Sequence, residues 1–437
     1  MSSLAAAAAA AVAAASTWVK SLPRIISSST PAVKPPKRNP KTKRAPPAAD
    51  ADSIADQTLP KPLGVKALIR ERDPDKLVSK FVAASSASSR FRDGHRAYDV
   101  AVSRLTSLGR KDGIEAIIEA QKPFLETSRE GFATRLIRLY GSASMPSHAA
   151  ATFHQLPARH KSTRTFNAVL AAYAEAGDVA ALTAAFQEIP AAHPSIVPDL
   201  YSYNALIRTL CQKSNLSAAL YAVHLMKKHG VSPDIITFNS LLDGFHNSGR
   251  NDEAEKVWQM IKERNLEPDA KCYNAKLRGL VAQGRIDDAA AVLERLEKDG
   301  PKPNIVSYNE LIRGYCKAGR FLEAKKVYDN LMKNECVPNK GTYEILVPHL
   351  LQAGELDCAL SYCYDIFASK KCCGVERGVL QDVVNALVNA SRVEEATKLV
   401  GLGQKSNYHR KHYQLKLMRK IKYQKKTSVK VEDGTEK

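Results

Sequence analysis

Amide side chains recur through the middle of this 437-residue chain at one fixed interval. Asn204, Asn239, Asn274 and Asn309 stand 35 residues apart, each directly after Tyr or Phe, and the stretches that contain them close on Asp234, Asp269, Asn304 and Asn339. Amides and lone carboxylates at such spacing make no bonds; they donate and accept hydrogen bonds. The same residue types also cap helices, because a side-chain oxygen just before a helix accepts its free N–H groups. A second kind of chemistry lies near the C-terminus. Lys405, Arg410, Lys411, Lys416, Arg419, Lys420, Lys422, Lys425, Lys426 and Lys430 form a run without an acid, with Tyr408, Tyr413 and Tyr423 interleaved. Such cations displace condensed counterions from phosphates, and tyrosines stack on unpaired bases, which marks the run as a candidate nucleic-acid arm. A solvated tail, or a membrane-surface or protein-docking segment, has the same composition.

Metal and catalytic chemistry find little support. The eight cysteines show no paired framework, and several occupy apolar helical positions, as small buried residues do in a reducing compartment. Cys358, Cys363 and the Cys372–Cys373 pair lack the C-x-x-C spacing of a structural zinc site. The histidines are scattered: His409 and His412 lie in the basic run, and His154, His160 and His193 in helices or links. The expectation is a binding protein with no enzymatic activity, no metal and no cofactor.

The elements that position the asparagines follow from the period. Ala219, Ala254, Ala289 and Ala324 keep the same interval, as do Pro233, Pro268, Pro303 and Pro338. A repeat of 20–50 residues with helical patterning inside each unit means an α-solenoid, whose units bury their apolar faces against one another. Within one unit, Tyr308 to Ala318 reads as a first helix, Gly319 as its C-cap and Phe321 to Lys333 as a second helix. Leu311, Ile312, Tyr315, Ala324, Val327, Tyr328 and Leu331 should be buried between helices. The register gives about nine units, near 95–129, 130–162, 163–199, 200–234, 235–269, 270–304, 305–339, 340–374 and 377–411. The outer ones are degenerate: Thr134 and Glu344 stand at the Asn position, and Ser391 stands at the Gly position.

The ends differ from the body. Residues 1–49 are rich in Ala and Ser and carry eight basic residues and no acid, the composition of an organelle transit peptide, with mitochondrion preferred over chloroplast. The apolar run Leu4 to Ala15 is too short to span a bilayer. Residues 50–94 form a polar lead-in with one helix, capped by Asp73 and opened by Pro74. The segment 1–49 contributes +8, and 404–437, with eleven basic and three acidic residues, also +8. The ends therefore hold 16 of the net +20. That balance predicts a polyanionic partner gripped mainly by the tail, 405–437.

The form V-x-[YF]-N-x-L-I…G…A…P-D at a 35-residue period resembles the pentatricopeptide repeat over roughly residues 95–411. The resemblance implies a right-handed α-solenoid whose first helices line a groove for single-stranded RNA, one nucleotide per unit. It also implies that the residue after Tyr/Phe and the last residue of the unit read the base. Those pairs are Asn167/Asp199, Asn204/Asp234, Asn239/Asp269, Asn274/Asn304 and Asn309/Asn339, for which the family's pairing rules imply a pyrimidine-rich site, U-U-U-Y-Y. Thr134/Ser162 is a weak pair, and Glu344/Gly374 is unreadable. Capping alone accounts for the same residue types. The zinc-deaminase signature of some family members, H-x-E with P-C-x-x-C, is missing, as is an acidic metal cluster of the ribonuclease kind. The stretches YDVAVSRLTSLGRKDGIEAIIEAQK, EGFATRLIRLYG and YNAKLRGL look like the plant members associated with the mitochondrial small ribosomal subunit. The resemblance thus implies ribosomal RNA and small-subunit proteins as partners, with no membrane span and no small-molecule substrate. The alternatives are a free factor for an organellar transcript and a protein-binding scaffold.

Overall fold

The computed structural model describes residue 68 and residues 70–368 and 377–405. All of the described secondary structure is helical, and among the described residues no helix is long and apolar enough to cross a membrane. The transit-peptide segment 1–49 lies outside the described residues, as does the tail beyond Lys405.

A lead-in helix α1 (Pro74–Ala87) starts where expected, with Asp73 accepting from the N–H groups of Asp75 and Lys76 and Pro74 opening the helix. A short helix α2 (Ser89–Asp93) follows. Helix pairs then succeed one another. They are α3 (His95–Ser107) with α4 (Lys111–Glu119), α5 (Glu130–Ser142) with α6 (Pro146–His154), α7 (Thr163–Ala176) with α8 (Val179–Ala192), and α9 (Leu200–Gln212) with α10 (Leu216–Lys228). Next come α11 (Ile235–Asn247) with α12 (Asn251–Glu263), α13 (Ala270–Ala282) with α14 (Ile286–Asp299), and α15 (Ile305–Lys317) with α16 (Phe321–Lys333). The last are α17 (Lys340–Gln352) with α18 (Leu356–Ala368), and α19 (Arg377–Asn389) with α20 (Val393–Lys405). The chain divides into two compact units, 1–232 and 233–437. Within the first, the first helices α3, α5, α7 and α9 pack side by side in order; within the second, α11, α13, α15, α17 and α19 do the same.

Local chemistry fixes the boundaries. The first helix of the 305–339 unit begins at Ile305, three residues before the sequence expectation, because Asn304 accepts from Val306 N and Ser307 N and so starts the helix there. It ends at Lys317, with Ala318 as C-cap and Gly319 one residue beyond at φ +70°. That left-handed residue recurs in every pair: Gly109, Gly177, Gly249, Gly284, Gly319 and Gly354, with Ser144, Ser214 and Ser391 in the same role. It turns the chain from first to second helix and satisfies the last carbonyls of the first.

Burial follows the register. Leu311, Ile312, Tyr315, Ala324, Val327, Tyr328 and Leu331 are all buried, and Ala219, Ala254, Ala289, Ala324, Ala359 and Ala396 are at most 1% exposed. Each large apolar side chain so placed contributes about 1.5–3 kcal/mol. Glycine provides closer approach at one contact between first helices. A Cβ on Gly279 of α13 would lie 2.1 Å from the His246 ring of α11.

Candidate nucleic-acid interface

Positions 2, 5 and 9 of each first helix fall on one stripe, since residues three and seven apart share a helix face. The asparagines occupy position 5, and the structure brings four of the five expected pairs together. Asn167 Nδ2 donates to Asp199 Oδ1 at 3.0 Å. Asn239 Nδ2 lies 3.2 and 3.1 Å from the two Asp269 oxygens. Asn274 Nδ2 reaches Asn304 Oδ1 at 3.4 Å, and Asn309 Nδ2 reaches Asn339 Oδ1 at 3.3 Å. Asn204 and Asp234 fall in different compact units, and Asp234 caps α11 through the N–H of Thr237 at 2.9 Å.

The last residue of each pair is also the N-cap of the next first helix. Ser162, Asp199, Asp234, Asp269, Asn304 and Asn339 all accept the backbone N–H three residues on. In three units a third side chain closes the loop. The Ser202 hydroxyl donates to Asn167 Oδ1 at 2.5 Å, the Cys272 thiol to Asn239 Oδ1 at 2.8 Å, and the Ser307 hydroxyl to Asn274 Oδ1 at 2.6 Å. Burial pushes the Cys272 thiol up to about 12, so it serves as a neutral donor. Capping and pairing therefore coexist. Each amide nitrogen keeps a second N–H, and a carboxylate oxygen has two lone pairs. Asn309 Oδ1 is buried without a hydrogen-bond partner.

Several residues near this row were not singled out by sequence reasoning. Tyr201, Ile236 and Val306, three residues before Asn204, Asn239 and Asn309, are 56%, 56% and 40% exposed. Apolar side chains that face water at a fixed register are suited to stack on flat ring systems. The signal was an apolar residue on the polar face of a helix. Four residues beyond the asparagines, Arg278 bonds Asp243 at 2.9 Å and Glu310 at 3.4 Å, and Arg313 lies 3.5 Å from Glu310. On the second helices, arginines just before the first turn form a further series. Arg320 spans Asp287 and Glu323, and Arg392 spans Asp357 and Glu395.

The weak pairs look different. Thr134 Oγ1 donates to the Glu130 carbonyl and Ser162 Oγ to Glu130 Oε1, so neither faces its expected partner. Glu344 lies 3.3 Å from Lys340, and Gly374 lies outside the described residues. The tail cations Arg410, Lys411, Lys416, Arg419, Lys420, Lys422, Lys425, Lys426 and Lys430, and Tyr408, Tyr413 and Tyr423, also lie outside them; Lys405 ends α20. Among the described residues, no group of three or more His, Cys, Asp or Glu is placed to hold a metal ion.

The model of the PPR repeat family matches residues 198–247, 233–282 and 303–352, the region of the asparagine row. Those stretches match PPR repeats. Over 163 residues it is 39% identical to the small ribosomal subunit protein mS78 of Arabidopsis thaliana, which covers 37% of this chain and 40% of that protein. Over 178 residues it is 35% identical to the pentatricopeptide repeat-containing protein At1g80150, mitochondrial, of the same plant, covering 39% and 44%. The chain thus spans less than half the length of these curated relatives. The PPR protein PPR10 from maize superposes with a TM-score of 0.47 and 22% identity, over 78% of this chain and 48% of that one.

Proposed function

We propose that this chain is a PPR protein that binds RNA as a component of the small subunit of the mitochondrial ribosome. The observation that carries the reading is the 39% identity, over 163 residues, to a small ribosomal subunit protein. The mitochondrial location is supported by a relative that bears that word in its name and by the basic, acid-free segment 1–49.

The geometry offers a mechanism. An amide N–H beside a carboxylate oxygen, as at Asn167 and Asp199, complements an edge that presents an acceptor next to a donor. Uracil presents O4 next to N3–H, so Asn/Asp pairs favour uridine. The Asn/Asn pairs, whose caps are amides, accept either pyrimidine. Tyr201, Ile236 and Val306 supply flat or apolar contact for the ring faces. Because the pairs at Asn167, Asn239, Asn274 and Asn309 are bonded internally, their reading atoms are held in place before RNA arrives. The Lys405–Lys430 run supplies charge for the backbone.

The test is sedimentation of an organelle extract with and without EDTA and RNase. The expected outcome is co-migration with the small ribosomal subunit that survives EDTA. Recovery only in light, RNase-sensitive particles would replace the ribosomal reading with that of a free transcript factor.

A further inference from the structure

Among the described residues, five arginines on the first-helix side of the N-terminal compact unit form no side-chain hydrogen bond or ion pair. Arg96 on α3, Arg129 just before α5, Arg138 on α5, Arg164 on α7 and Arg208 on α9 are all exposed. The absence of such bonds contrasts with the second unit, where Arg278 and Arg313 meet Asp243 and Glu310. It contrasts as well with the second-helix series, where Arg110, Arg250, Arg285, Arg320 and Arg392 each meet a carboxylate.

Four of the five hold positions of the recognition stripe. Arg96 and Arg164 are at position 2, and Arg138 and Arg208 at position 9. Arg129 takes the N-cap place that Asp or Asn holds later, and α5 accordingly begins without a side-chain cap. The carboxylates on this side are engaged or few. Asp93 and Asp99 act on the half-buried Arg135, Glu130 takes the Ser162 hydroxyl, and Asp199 takes Asn167.

Along α3 and α5 this face also lacks the Asn and N-cap pair that reads a base, which begins only with Asn167 and Asp199. Position 2 holds Arg96, Gly131 and Arg164 in place of an apolar side chain, and Thr134 and Ser162 are both spent on Glu130. What α3 and α5 present there is positive charge, from Arg96, Arg129 and Arg138, and it continues to Arg164 at the start of α7 and Arg208 on α9. Neighbouring packed helices lie about 8–10 Å apart, so the charges extend along a continuous polyanion. Guanidinium forks match phosphate oxygens in pairs. Paired RNA presents its phosphates and hides its base edges from side chains in a deep, narrow major groove.

We propose that this arginine face grips the sugar–phosphate backbone of folded, double-helical RNA, by charge and without base reading. The proposal rests on the RNA-binding reading above and gives two stretches of the array different ligands: paired RNA for the arginines from Arg96 to Arg164, unpaired pyrimidines for the asparagine pairs from Asn167 and Asp199 onward.

The experiment uses the full chain with a blunt RNA duplex and a U-rich single strand, titrated over KCl concentration. The variant combines Arg96→Gln, Arg129→Gln, Arg138→Gln and Arg164→Gln; the control combines Arg250→Gln and Arg285→Gln. Duplex affinity should fall at least tenfold (~10-fold or more), equally for two unrelated duplex sequences. The slope of log K against log salt should become shallower by roughly 3.6, at about 0.9 per lost phosphate contact. The control should keep the wild-type slope, and the same four positions changed to Lys should restore most of it, which separates charge loss from misfolding. An unchanged slope with the four-Gln variant would overturn the proposal while leaving the RNA-binding reading intact. Loss of binding to polyglutamate or to anionic vesicles, with duplex binding kept, would overturn it in favour of a protein or membrane partner. A wild-type chain that binds neither RNA would sink both readings.

Discussion

Ser144, Ser214 and Ser391 hold a left-handed backbone conformation that glycine adopts in the six sister turns. A side chain there is strained by its Cβ, at about 1 kcal/mol. Replacing any one of the three by Gly should therefore stabilise the chain by roughly 0.5–1 kcal/mol, read as a rise in the urea midpoint with an unchanged slope. A histidine makes a second prediction. His229 Nδ1 meets the buried Tyr203 hydroxyl at 2.6 Å, and burial, together with Lys228, holds the ring below its ordinary value of 6.5. A depressed folded value means that the unfolded chain binds the proton first. The stabilisation is thus full above pH 6.5 and is lost as pH falls toward the folded value. Asn334 makes the equivalent bond to Tyr308 without titrating. Melting temperature should drop between pH 7.5 and 5.5, and His229→Asn should reduce that drop; an equal drop in the variant would assign the pH dependence to other groups.

At the scale of helices, the approach of α11 and α13 depends on one missing methyl group. Gly279→Ala would drive a Cβ into the His246 ring, which is bonded to Asn251 at 3.0 Å and cannot retreat freely. The expected cost is about 1–3 kcal/mol. A double-mutant cycle with His246→Ala should recover part of it, whereas strict additivity would place the strain elsewhere. The helices themselves were legible in the sequence, because the interval of Asn, Ala and Pro and the apolar spacing leave little choice but stacked helix pairs. Helix starts were legible only in part. Asn304 was read as the end of one unit, and its role as the cap that starts α15 at Ile305 moved the boundary. The bonds from Ser202, Cys272 and Ser307 to the preceding unit's asparagine were missed, since their partners lie 33–35 residues away and Cys272 breaks the Ser/Thr pattern. The unpaired arginines were missed for a related reason. The 11 basic residues of 404–437 drew attention to net charge, whereas pairing depends on which acids fold alongside, as Asp243 and Glu310 do beside Arg278.

For the whole molecule, the two ends of the sequence hold 16 of the net +20. Deleting 405–437 should weaken binding to RNA of any sequence and flatten its salt dependence, and it should leave the preference for U-rich over A-rich strands unchanged. A lost preference with an unchanged salt slope would instead assign selectivity to the tail. The double use of each unit's last residue sets a further limit. Asp199, Asp269, Asn304 and Asn339 each face the asparagine of one unit and start the first helix of the next. Under the base reading proposed above, any attempt to rewrite the preferred sequence at one of these positions is also an edit to the neighbouring helix. The alphabet open to such recoding is the short set of residues that cap helices, and each letter outside it would loosen the joint it was meant to reprogramme.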